Sequence, residues 1–595
     1  MTKHFSAPLS RFSLILSLTA GAALCPAQST SPQTAPPPAA APAAPAQPPV
    51  DKNAPEMATK EAPALFKTRV NLVMVPVVVR DAKGHTVGTY TKENFLLFDK
   101  GKPQEIIKFS MEKAGSKAAK EAQTQDPIPT TEAAPTPDVP ERFVAYLFDD
   151  MHLQFGDLVR ARDAAGRQMG ALAKTDRAAI YTTSGQDQLE FTDDIDKLQE
   201  DLLRLRPRSI SDPNGIASCP DISYYMADMI INKNDSMALN LAVQEVIACN
   251  PGTTAATGAA FAQAASMRVL SIGTQETHVS LGVLKDVVRR MSGMPGERIV
   301  VMISPGFIVP QDQQEKGDIL DRAIHSNVLI NSMDARGLWV DPMLDASRPT
   351  RAATPAFLQL KQQYDRDSAS AQADLLAEMA YGTGGSFYQN NNDLDTGLRQ
   401  LASPPEFYYI LGFSPQNLKL DGSFHSLKVT FKPPATAGLA IQSRKGYYAP
   451  KKLTDAQETA KQEIEEALFS REEMNELPVE LHTQYFKASE KDATIAVLCR
   501  MDPKHIQFHK ADGRNINSLT IVAGIFDRNG NFLSGIQKVV DLKLKDETLA
   551  KLVAAGVFSV KTNFSVAPGT YMVRLVVRDS EGQLMSAANG AVAIQ

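Results

Sequence analysis

Three kinds of hydrophobic pattern succeed one another along the chain. RFVAYLFDD, from Arg142, is a continuous apolar run closed by two carboxylates, the pattern of a strand buried on both faces of a parallel sheet. Residues 157–174 then place apolar groups at helical spacing, DRAAIYTTS reads as a second strand, and DDIDKLQEDLLRL as a capped amphipathic helix. RIVVMISPGF, NVLINSMDA and GGSFY continue the strands, while 258–292, DILDRAIHS, 366–381 and DLDTGLRQL read as helices, the first as one long helix or two. EFYYILGFSP closes the series. Alternation on this scale predicts a parallel sheet with helices on both faces, a Rossmann-like α/β domain.

The flanks read differently. Residues 66–112 hold short strands, with Pro76 marking an edge or a bulge. HSLKVTFK and LAIQSRKGYYAP form a hairpin-like appendage, and 454–475 a charged helix. Seven strands with turn residues between them follow from Val479, which predicts an immunoglobulin-like or fibronectin-like β-sandwich. The expected class is therefore multidomain α/β plus β. Its segments are a β module at 65–112, a linker at 113–140, an α/β domain at 141–415 with an insert at 207–257, the appendage at 416–450, a helical connector at 451–477 and the sandwich at 478–595.

Composition sharpens the beginning of the chain. Lys3 and Arg11 precede a short apolar run, Phe12 to Leu24, and Cys25-Pro-Ala27 supplies small residues for cleavage. Residues 1–27 thus read as a secretory signal peptide, and the product as a periplasmic or extracellular protein. Residues 28–64 contain 10 prolines and 11 alanines, too little burial potential to offset ordering entropy, and read as a disordered spacer. No later segment offers about 18 consecutive apolar residues, so no transmembrane segment is expected after cleavage. The net charge of −5 shows no basic stripe, which excludes the electrostatic footprint of a nucleic-acid binder.

Export changes the meaning of the four cysteines. Cys25 leaves with the signal. Cys219 and Cys249 flank one polar, irregular insert, and pairing them closes a loop of about 30 residues, which the chain-entropy argument values at roughly 3–4 kcal/mol. Cys499, in the strand-like ATIAVLCRM, reads as a buried free thiol.

A family resemblance emerges from these segments. RFVAYLFDDMHL followed by a helix and DRAAIYTTS resembles the opening of a von Willebrand factor A (VWA) domain. VNLVMVPVVVRDAKGHTVGTYTKENFLLFDKGKPQEI, FDDMHLQFGDLVRARDAA, VVMISPGF, and EFYYILGFSP with SRKGYYAP resemble the exported VWFA-related proteins of acidobacteria, over residues 66–450. The resemblance implies an adhesion-type domain, many of which bind partners through a metal site beginning Asp-x-Ser-x-Ser and completed by a Thr and an Asp from later loops. Magnesium suits such oxygen ligands. Here Asp149 takes the first position, but Met151 and Leu153 stand in the serine places; the shifted register puts Asp150 first, with His152 and Gln154. Ser304 falls on the late Asp position, and Ser209 or Thr253 on that of the Thr. Two roles stand for Asp149 and Asp150: a degenerate site holding weakly bound Mg or Ca with Ser304, or helix caps and partners of Arg160 or Arg162. Asp334, at a strand end, either joins that cluster or caps its own loop.

Other chemistry is sparse. Gly-x-Ser-x-Gly, His-Glu-x-x-His and Walker A motifs are absent. His505 and His509, with Asp502 or Asp512, share one face only if their segment is a strand. Trp339 reads as a loop anchor or an exposed contact residue, the buried role being favoured. VVVRDAKG, GIFDRNG and LVVRDSEG read as Asp-capped turns, not calcium loops. The expected function is non-enzymatic protein binding or scaffolding, with an exported or cell-envelope protein as partner and no obligatory cofactor. A metal-dependent adhesin using Asp149 and Asp150 is the alternative, and an exported hydrolase with an unfamiliar site a more distant one.

Overall fold

The computed structural model describes residues 56–60, 73–81, 86–113, 140–210, 219–339, 355–403, 407–415, 423–432, 438–449, 456–469, 473–582 and 584–594. The expected signal peptide and most of both low-complexity linkers lie outside them. Among the described residues no helix is long and apolar enough to cross a membrane. The chain is a mixed α/β protein with one largely parallel sheet and several antiparallel ones.

The strands of the central sheet are numbered β1–β6 in chain order: β1 Arg142–Phe148, β2 Asp176–Thr182, β3 Gln188–Thr192, β4 Glu297–Ser304, β5 Val328–Asp334 and β6 Phe387–Tyr388. Their spatial order is β6-β5-β4-β1-β2-β3, parallel except for β3 at one edge. β1 is buried at every position because both its faces are covered. Phe143, Ala145 and Leu147 face α5 (Ala255–Ser292), α6 (Gln313–His325) and α7 (Pro355–Thr383). Val144, Tyr146 and Phe148 face α1 (Phe155–Met169), α2 (Ile195–Leu202) and α8 (Leu394–Ala402). The winding reverses between β1 and β4, the switch point beside which open α/β sheets bind ligands.

Two expectations about this region need correction. The insert is not irregular: it forms α3 (Tyr224–Ile231) and α4 (Ser236–Cys249), capped by Ser223 and Asp235. Their apolar faces bury Met226, Ile230, Leu241 and Val246 against Ala262 and Leu270 of α5 and Tyr364 of α7. Cys219 and Cys249 are disulfide-bonded, with Cα atoms 6.5 Å apart. The second correction concerns EFYYILGFSP. Phe407–Phe413 does not join the central sheet; it pairs antiparallel with Val73–Arg80 and Lys108–Lys113.

That pairing fuses the N-terminal β module with the appendage. Two four-stranded sheets result, one including Ala440–Ser443, the other built from Phe95–Asp99, Lys102–Gln104, Phe424–Phe431 and Gly446–Tyr448. Between them Val75, Val77 and Val79 pack against Leu97, Tyr409, Leu411 and Val429. Pro76 is the register partner of Ile410 on one side, and on the other the pairing with Ala440–Ser443 ends at Val77, so Pro76 occupies a locally unpaired edge of its strand.

All seven strands read from Val479 onward are present, in a three-stranded and a larger antiparallel sheet. Ile495, Val497 and Cys499 on the former meet Ile521, Leu542 and Leu575 on the latter. The helix Ala456–Phe469 covers the larger sheet's other face through Ile464 and Leu468. The reading of 28–64 as wholly disordered is also corrected: Met57–Lys60 pairs antiparallel with residues 539–542 at that sheet's edge. Backbone pairing with a preformed edge orders a segment that has no core of its own.

The sandwich meets the amino edge of the central sheet. Arg177 Nε donates to the Arg528 carbonyl at 2.8 Å, Arg290 Nη2 to Asn531 Oδ1 at 2.7 Å, and Arg298 to the Phe469 carbonyl. Asp527 accepts from Asn529 and Asn531 backbone amides, and Gly530 follows at φ 81°. A Cβ on Gly530 would lie 2.3 Å from Phe143, so both the turn and the contact require glycine. The opposite, carboxyl edge is left for the candidate site.

Candidate functional site

Asp149 and Asp150 leave β1 at the switch point. The Asp149 amide donates to Ile303 of β4 at 2.9 Å, and the Thr183 amide to Phe148, so three strand ends converge. Ser304 Oγ donates to Asp149 Oδ2 at 2.5 Å, and Thr183 Oγ1 to Asp149 Oδ1 at 2.8 Å. His152 Nδ1 lies 2.8 Å from the same Oδ1. Asp149, Asp150, Ser304 and Thr183 are all fully buried. Ser304 is held in turn by the Gly306 amide at 2.8 Å. Gly306 has φ 81°, and a Cβ there would meet the Gln372 carbonyl of α7 at 2.1 Å.

Electrostatics divide the two carboxylates. Burial pushes the Asp149 carboxyl up, but the His152 charge and hydrogen bonds from His152, Ser304 and Thr183 outweigh it and hold it below the ordinary range. Burial would depress His152, yet Asp149 reverses this and raises the imidazole, with Glu276 and Asp150 adding to the effect. The ring also stacks on Phe307, centroids 4.9 Å apart. For Asp150 burial wins: its carboxyl is raised although Ser184 supplies an amide bond at 2.9 Å and a hydroxyl bond at 2.5 Å. Arg208 stands 3.8 Å away, a weak counterion already engaged by Asp187 at 3.0 Å.

The sequence-predicted residues thus separate into two groups. Asp149, Asp150 and Ser304 are together. Met151 and Leu153 point into packed interior, Leu153 within the core beneath β1, so neither serine position faces the carboxylates. Gln154 is exposed at the start of α1. Ser209 bonds Glu276 and Thr253 bonds the Asn250 carbonyl, placing neither on Asp149. Arg160 pairs with Asp157 and Arg162 with Asp163, which corrects their expected role as partners of Asp149 and Asp150. Asp334 is clamped by Arg336 at 2.8 Å and caps its own loop. His505 and His509 do not share one face: His505 lies in a 3-10 turn near Asp502, while His509 pairs with Glu581. Trp339 is 37% exposed rather than a buried anchor. Sequence reading missed Thr183 and Ser184, whose signal was the polar TTS closing the second strand run, at the position the two aspartates hold in the first.

The donors do not fit a divalent cation. Three hydrogen-bearing groups already point at Asp149, one an imidazole inclined to carry positive charge, and the two side chains expected as hydroxyl ligands are a thioether and an aliphatic group. Nor does the arrangement resemble a nucleophile and base. Both hydroxyls beside Asp149 donate to carboxylates, and among the described residues none bonds His152 Nε2.

No protein-family model matches the chain, and no curated protein matches it. Among solved structures, a β-glucuronidase from Bacteroides uniformis is 17% identical over 19% of this chain and 13% of its own, with TM-score 0.14. The conserved hypothetical protein BatB from Bacteroides thetaiotaomicron is 12% identical over 44% of this chain and 97% of its own, with TM-score 0.21. Dimeric latent PorU from Porphyromonas gingivalis is 14% identical over 32% and 14%, with TM-score 0.11. The chain spans only 13% of the first of these, and none of the three is close enough to carry a function across.

Proposed function

We propose that this is an exported, non-enzymatic binding or scaffolding protein whose central domain is VWA-like and whose C-terminal domain is immunoglobulin-like. The strand order, the helices on both faces and the face-to-face antiparallel sheets support those fold readings. The disulfide supports an oxidising compartment. The observation that carries the functional reading is the closed hydrogen-bond shell around Asp149. It turns the usual metal position into a rigid internal support, so recognition falls to the residues around it. Phe155, 62% exposed at the start of α1, and Trp339, on the loop after β5, are large apolar groups at that carboxyl edge. Exposed aromatics of this kind anchor protein interfaces.

Crosslinking in the native envelope, followed by affinity recovery of the chain, tests the reading. An envelope protein recovered equally with and without EDTA, and lost with Phe155→Ser/Trp339→Ser, is the expected result. Recovery that EDTA abolishes, together with a thermal shift at millimolar Mg or Ca, would replace it by the metal-dependent adhesin. No recovered partner at all would refute it.

A further inference from the structure

A cavity of about 570 Å³ lies at the opposite edge of the central sheet. Its floor is the amino end of the sheet, including Val144, Tyr146 and Ile299, and its other wall is the N-terminal β module, including Val78 and Tyr408. Alternation in Val73–Arg80 explains the wall: Val75, Val77 and Val79 fill the module's own core, which turns Pro76, Val78 and Arg80 outward into the cavity. The volume falls within the range of about 300–1,000 Å³ typical of small-molecule sites, and its walls combine apolar side chains with charged and amide groups.

One polar group in it is unfinished. The Arg142 side chain is nine-tenths buried and pairs with Asp176 through Nη2. Its Nε and Nη1 are buried without an acceptor among the described residues. A guanidinium can donate five hydrogen bonds and accept none, so only an acceptor can complete it. Among the described residues, four arginines (80, 142, 298 and 444) and three carboxylates (Glu141, Asp176 and Glu297) line the space, a formal excess of one positive charge within that set. A few waters would satisfy Arg142 but would leave a largely apolar volume wet.

We propose that this cavity binds an organic anion, a carboxylate on an aliphatic body, with its head on Arg142 and its tail between the sheet and the β module. The site is distinct from the carboxyl-edge surface and stands independently of the binding role argued for it.

Titration of dodecanoate below its micellar range into the full chain, read by calorimetry and native mass spectrometry, tests the proposal. One equivalent should bind, with dodecanol and acetate each at least tenfold weaker, since the first lacks the charge and the second the body. Arg142→Met should weaken dodecanoate at least tenfold. Because that change also strands Asp176, Val78→Trp provides a second variant: it fills the cavity from the other wall, leaves the ion pair in place and should abolish binding. Absence of saturable binding, dodecanol binding as tightly as dodecanoate, or unchanged affinity in folded Val78→Trp would each overturn the proposal.

Discussion

His152 Nδ1 sits 2.8 Å from Asp149 Oδ1, three residues away in sequence, at the end of the strand where the sheet's winding reverses. A carboxylate without access to water thereby gains an imidazole partner within its own turn. Hydroxyls from the two neighbouring strand ends complete the shell.

The pair makes stability depend on pH with a defined sign. His152 is raised from 6.5 in the fold, so its contribution is complete below that value and is lost as pH rises through the folded pKa. Asp149 is lowered from 3.8, so its contribution is present above that value and is lost as pH falls through its folded pKa. Chemical denaturation between about pH 5 and pH 9 should show wild type losing stability relative to His152→Asn as pH rises. Parallel curves for the two proteins would disprove the coupling.

Ser304→Ala removes one hydrogen bond to a buried charge and should cost about 1.5–3 kcal/mol. Asp149→Asn leaves the imidazolium without its counterion and should cost more, about 3–5 kcal/mol. Urea midpoints compare the two; equal or negligible losses would mean that the shell does not act as a support.

Alkylation of the chain without residues 1–27, under denaturing, non-reducing conditions, should label Cys499 alone. In the native protein Cys499 should stay unlabelled, because burial removes access and pushes its thiol up to about 12. Replacing Cys219 and Cys249 by serine should cost about 3–4 kcal/mol. Hydrogen exchange should place that loss first in α3 and α4.

Removal of residues 1–60 uncovers the edge of Phe532–Leu544, where four residue pairs are lost. The expected cost is about 1–3 kcal/mol, with concentration-dependent self-association in sedimentation because an unpaired edge is a template for other strands. A monomer of unchanged stability would show that Met57–Lys60 has no covering role.

A buried network in the N-terminal module was not legible in the sequence at all. Tyr447 donates to Asp99 at 2.9 Å, and His425 Nδ1 lies 3.0 Å from the same carboxylate, although 326 residues separate His425 from Asp99. Tyr447→Phe should cost about 1–3 kcal/mol by leaving the carboxylate one donor short, measurable by urea denaturation against Tyr485→Phe on the half-buried surface.

Local pattern was enough for the parallel strands and most covering helices of the central sheet, because burial on two faces forces continuous apolar runs and a single covered face forces a helical stripe; it missed the half-exposed edge strand Gln188–Thr192 and the two helices of the insert. It was also enough to place Asp149 and Asp150 at a strand end, and to show that positions 151 and 153 carry no hydroxyl. What it left open depended on contacts between distant segments. Phe407–Phe413 carries the same apolar signal as a central strand, yet its partners at 73–77 and 108–113 assign it to another sheet. Met57–Lys60 has no signal of its own and is ordered by a strand some 480 residues away. Thr183, His152 and Ser304 are unremarkable singly; only the parallel register that brings the ends of β1, β2 and β4 together makes them the donors that keep Asp149 charged.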